Sequence, residues 1–128
     1  MTYKKIISAF ILPITLFILD IVLVMMNAYS RFDWLDMPMH FLGGVFTCYT
    51  AYSILTVYQE KTKTPEMNKK FATLFLIGIV AIVAIMWEFA EFGADLFFHL
   101  GLQQTVPDTL SDLFFGLSGA TVGSYILT

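Results

Sequence analysis

Three pairs of polar residues interrupt an otherwise apolar sequence, and their spacing is helical. Asp36 and His40 are four apart, Glu88 and Glu91 three apart, and Asp108 and Asp112 four apart. Such spacings put both members of a pair on one helical face. Carboxylates gathered around an imidazole can share and transfer protons as general acids and bases. They can also hold a divalent cation, with Mg, Mn, Fe and Zn all compatible with oxygen donors plus one imidazole nitrogen. The expected metal ligands are His40, Glu88, Glu91, Asp108 and Asp112, with Asp36 binding directly or orienting His40 from behind. The expected acid/base set is Asp36, His40, Glu88, Glu91 and Asp112. Such a site suits hydrolysis or group transfer on a phosphate or ester. Neither a Ser nor the single cysteine, Cys48, stands in a nucleophile motif, and Ser111 beside Asp112 does not make a triad.

The elements that carry these pairs must be membrane helices. Of the 128 residues 58% are hydrophobic and only 13% charged, against about 25% charged in soluble domains. Mean hydropathy is +0.76. Seven Lys/Arg face ten Asp/Glu, which excludes the basic surface a nucleic-acid binder needs. One cysteine excludes a disulfide framework and a thiolate-only metal site. A hydrocarbon core of about 30 Å needs roughly 20 apolar residues in a helix. Four stretches meet that length, about 6–28, 37–58, 71–92 and 109–127. The reading is therefore an all-α bundle of about four transmembrane helices in one membrane domain, with loops at 59–70 and 93–108. The segment from Asp95 to Leu100 either extends the third helix or lies at the interface. Met1–Lys5 is a basic start, but the run after it is too long for a signal peptide and lacks an A-x-A site, so it reads as an anchor.

Lysines set the expected orientation. Lys4, Lys5, Lys61, Lys63, Lys69 and Lys70 fall on one side of a four-span chain with Glu60 and Glu66, whereas Arg31 faces eight carboxylates elsewhere. The positive-inside rule makes both termini cytoplasmic. The polar pairs then lie at the outer ends of their helices. Asp20, 14 residues beyond Ile6 and so about 21 Å along the first helix, shares that half. Bland roles compete at several positions. Asp36 and Asp108 suit helix starts, and His40 could be a hydrogen-bonded structural histidine. Asp20 could pair with Arg31, and His99 continues a four-residue stripe from Glu91 and Asp95 unless Gly93 breaks the helix. Trp34, Tyr3, Tyr58 and Tyr125 read as interfacial residues, and Trp87 beside Glu88 as a packing residue that could also line a pocket. Gly43, Gly44, Gly116, Gly119 and Gly123 read as close-packing positions.

The pattern Asp36-x-x-x-His40-Phe-x-Gly-Gly44, Trp87-Glu88-x-x-Glu91 and Asp108-Thr-x-x-Asp112-Leu-x-x-Gly-x-x-Gly-Ala resembles the YjdF-type family of small bacterial inner-membrane proteins. More distantly it is similar to VanZ-like proteins, which are associated with teicoplanin resistance. Met37 and Gly116 stand where VanZ-like proteins usually carry a basic residue and an Asn. The resemblance implies a compact multi-span helical protein whose acidic and histidine positions form its functional centre.

Three functions compete on this evidence. One is a metal-dependent hydrolase or transferase acting on a lipid or lipid-linked substrate at the outer leaflet. Another is a structural or assembly subunit, as a homo-oligomer or with a membrane partner, whose polar cluster fixes helix packing. A small proton or divalent-cation transporter is the third. Intramembrane carboxylates suit it, but only Thr73 is polar between Phe71 and Met86.

Overall fold

The computed structural model describes residues 2–103 and 105–128. Met1, Gln104 and the side chains of Thr2 and Tyr3 lie outside the described residues, and with them the interfacial reading of Tyr3. The described chain is all-helical. Helices α1 (Thr2–Met25), α2 (Asp36–Thr62), α3 (Lys69–Phe98) and α4 (Val106–Leu127) are joined by short connections, with one 3-10 turn at Asp33–Leu35. All four are long and apolar enough to cross a bilayer. Ala9 is the one buried residue among Lys4–Met25, while Ile7, Ile11, Ile14 and Ile18 are each more than half exposed. So apolar an exposed face suits a hydrocarbon solvent.

Caps, rather than hydropathy, set the helix ends, and they correct the sequence boundaries. Helix α1 ends at Met25 instead of residue 28, with Asn27 at φ 55 in the left-handed region that Asn tolerates. Helix α2 continues through Gln59, Glu60 and Lys61 to Thr62 and stops at left-handed Lys63; these side chains are good helix formers although poor lipid-phase residues. The expected loop 59–70 thereby shrinks. The Asn68 side chain accepts from Lys70 N at 3.0 Å and caps α3.

In the segment 93–108 the structure takes the first of the two readings, an extension of the third helix. Gly93 does not break the helix, and α3 runs on to Phe98. Asp95 turns the chain there: Leu102 N and Gln103 N each donate to its carboxylate at 2.8 Å. Helix α4 starts at Val106, earlier than residue 109, with Thr105 as its N-cap and Pro107 in the first turn, where proline loses no intrahelical bond.

Helix α2 is the centre of the bundle. It packs on α1, α3 and α4, and α3 packs on α4 as well. The backbone of α1 comes close to that of α2 alone among the described residues. The α2–α4 seam is the tightest. A Cβ on Gly44 would fall on the Gly116 carbonyl, and one on Gly119 would fall on the Phe41 carbonyl. Cys48, Leu76, Val80 and Ala120 continue the core below the seam. Thr50 Oγ1 donates to Ala9 O at 2.7 Å and ties α1 to α2. Tyr58, Tyr125 and Trp34 are exposed, as interfacial side chains would be.

Candidate functional site

The glycine seam sets where the polar residues meet. Helices α2 and α4 run parallel, and the register that lays Gly44 on Gly116 lays His40, one turn earlier, beside Asp112. His40 Nε2 lies 3.3 Å from Asp36 Oδ1 on its own helix and 3.7 Å from Asp112 Oδ1 across the seam. One donor atom from each of Asp36, His40 and Asp112 lies within 4.8 Å of the others. Donors bound to one ion at ~2.1 Å stand ~3–4 Å apart, and the two His40 separations fall in that range. Asp112 is 4% exposed, and little bulk water reaches its carboxylate.

Glu88 of α3 stands beside this trio. It is buried, and its Oε2 has no hydrogen-bond partner among the described residues. It lies within electrostatic range of His40, Asp36 and Asp112 and within reach of the Thr109 and Gln103 side chains. A buried carboxylate oxygen without a donor is costly, and a cation or a proton would satisfy it.

On the other side of His40 is a cavity of about 230 Å³ between α1, α2 and α3. Asp20, Asp36, His40, Trp87 and Glu91 form its polar end, and Pro13, Leu16, Phe17, Val80 and Val83 its apolar walls. Trp87 Nε1 donates to Glu91 Oε1 at 2.7 Å. The Tyr29 hydroxyl donates to Asp20 Oδ1, and burial together with this bond raises the Tyr29 pKa above the ordinary 10.0.

The sequence-derived candidates thus divide. Asp36, His40 and Asp112 converge, and Glu88 stands against them. Glu91 lines the cavity. Asp108 lies in the first turn of α4, outside the trio. Asp20 belongs to the cavity, paired with Tyr29 rather than Arg31. Trp87 lines the cavity, the second of its two expected roles, and orients Glu91 there. Asp95 holds the turn after α3, and His99 is the exposed C-cap of α3 at φ 54. Tyr29 and the pairing of α2 with α4 were missed from sequence. The pairing had a signal: Asp36, His40 and Gly44 repeat the spacing of Asp108, Asp112 and Gly116.

With this geometry in hand, comparison with known families is decisive on one point. The family model described as Predicted membrane protein (DUF2238) matches residues 4–128. The chain belongs to this family. The YjdF-type resemblance of its motifs agrees with that assignment. Comparison with curated proteins and with solved structures finds no match.

Proposed function

We propose that this integral membrane protein holds a divalent cation on Asp36, His40 and Asp112 and uses it, with Glu88 as a neighbouring carboxylate, in hydrolysis or group transfer on a lipid or lipid-linked substrate. The observation that carries the reading is the convergence of two carboxylates and one imidazole from two helices within 4.8 Å, beside a buried carboxylate oxygen that lacks a donor. A cation there would supply Lewis-acid polarisation of a phosphate or ester oxygen. Glu88 or Glu91 would take up or deliver the proton, and the apolar walls would exclude water. The lysine-rich end of the bundle, opposite the site, supports N-in/C-in placement in a bacterial inner membrane with the site toward the outer leaflet.

The test is elemental mass spectrometry on detergent-purified protein, prepared without chelator and resupplied with Mn, Fe, Zn and Mg. About one metal per chain is expected in wild type, with loss in His40→Ala and Asp112→Asn and retention in Asp108→Asn. Wild-type protein without metal after resupply overturns the reading.

One observation favours a second reading. His40 also bridges α2 and α4, so the trio could serve as a polar staple within a structural or assembly subunit. In that case His40→Ala lowers the unfolding temperature with no metal to lose.

A further inference from the structure

The cavity beside His40 does not end at its apolar walls. Pro13, Phe17, Thr47 and Val83 line it and also line a second, adjoining space of about 400 Å³. That second space is an apolar groove bounded by Phe10, Ile14, Thr50, Ala51, Ile54 and Ile79. The two spaces adjoin at these shared residues, with carboxylates at the far end of one and an almost wholly apolar lining in the other.

Its position follows from the packing. The backbone of α1 comes close only to that of α2, so a slot remains between α1 and α3, spanned near its polar end by the Phe17–Trp87 edge-to-face contact at 5.7 Å. Phe10, Ile14, Ile54 and Val83 around the groove are all exposed, so the slot opens sideways to the bilayer. From His40 to Thr50 helix α2 rises ~15 Å, the depth of one leaflet of a ~30 Å hydrocarbon core. An acyl chain lying in the groove would therefore stay at its ordinary depth while its head group reached the cavity.

The polar end selects the head group. Asp20, Asp36 and Glu91 line it with His40, and neither Lys nor Arg contributes among the described residues. A bare anionic head group would meet carboxylates. An ammonium would find charge partners in Asp20 and Glu91, whose single Tyr29 and Trp87 hydrogen bonds leave other lone pairs free to accept. It would also find the aromatic faces of Trp87 and Phe17.

We propose that the slot between α1 and α3 admits one acyl chain of a membrane lipid from the side, and that the cavity beside His40 receives that lipid's amine-bearing head group. The proposal rests on the preceding reading for the reaction and names its substrate class. In a zwitterionic phospholipid the ammonium would lie toward Asp20 and Glu91, and the phosphate toward the His40 imidazole.

Native mass spectrometry of the full chain in mild detergent tests this, with phosphatidylethanolamine and phosphatidylglycerol of identical acyl chains and metal content read on the same samples. Wild type is expected to retain one phosphatidylethanolamine with about tenfold preference. Asp20→Asn with Glu91→Gln should abolish the preference. Thr47→Phe, which plugs the junction of groove and cavity, should release the lipid and leave the metal in place; Val83→Trp repeats the test should Thr47→Phe fail to fold. Equal retention of the two lipids overturns the amine assignment, and full retention in both plugged variants overturns the lateral slot. Selective lipid retention in protein without metal supports this proposal while overturning the metal reading.

Discussion

The two sides of α2 are built to opposite ends. Toward α4 it presents Gly44, and the helices touch so closely that Gly44 and Gly119 have no room for a Cβ. Toward α1 it presents Gly43, whose added Cβ would only graze Leu16 at 3.8 Å. Adjacent glycines thus serve a rigid seam and a loose flank. The seam fixes His40 against Asp112. The loose flank leaves the slot and cavity through which something else can reach the same histidine. The contrast locates precision and access on different faces of one helix.

Substitution at the two glycines should break the symmetry between them most strongly. Gly44→Ala forces α2 and α4 apart and should cost about 1–3 kcal/mol, as overpacking does, with loss of bound metal. Gly43→Ala should stay within about 0.5 kcal/mol. Thermal unfolding in detergent measures both, and equal shifts would erase the distinction between the faces.

A smaller effect is expected on the loose flank. Tyr29→Phe leaves Asp20 Oδ1 without its phenol donor and should cost about 1–2 kcal/mol, again read from thermal unfolding. Thr50→Val removes the hydrogen bond to Ala9 O and should cost about 0.6 kcal/mol, the usual value of such bonds between membrane helices. Its sharper readout is faster proteolysis or hydrogen exchange in α1 than in α4. Uniform loosening of all helices would contradict the view that α1 is held separately.

The smallest effect is a slope with pH. The Tyr29 pKa is raised in the folded protein above its ordinary 10.0, so above that pH the unfolded state holds fewer protons than the folded one. Tyr29 therefore contributes stability that is fully present below pH 10 and lost as pH rises further. Wild type should lose unfolding temperature between about pH 9.5 and 11.5 more steeply than Tyr29→Phe, and parallel curves would show that Tyr29 titrates normally.

Much of this was legible in the sequence, and the remainder was hidden for identifiable reasons. Hydropathy alone gives four spans, because a bilayer imposes both length and composition. The three- and four-residue spacings give the pairs at Asp36 and His40, Glu88 and Glu91, and Asp108 and Asp112. Which pairs meet is a matter of helix register, and that depends on Gly44, Gly116 and Gly119 fitting against particular carbonyls. Hence Asp112 joins His40 while Asp108, on the same helix face, does not join the trio. Tyr29 escaped notice because its link to Asp20 depends on the turn that follows α1, where Asn27 takes a positive φ. The sequence left open whether the chain from Asp95 extends the third helix, because the choice rests on the Asp95 carboxylate accepting from the backbone of the next turn.

The central claim is that His40 ligates a cation. The chain contains only two histidines, His40 and His99, and His99 is an exposed helix cap. Electron-spin-echo spectroscopy of Mn-loaded protein counts the imidazole nitrogens on the metal. One coordinated nitrogen is expected in wild type and in His99→Ala, and none in His40→Ala. Bound manganese with no nitrogen in wild type, or a nitrogen signal that survives in His40→Ala, would contradict the account.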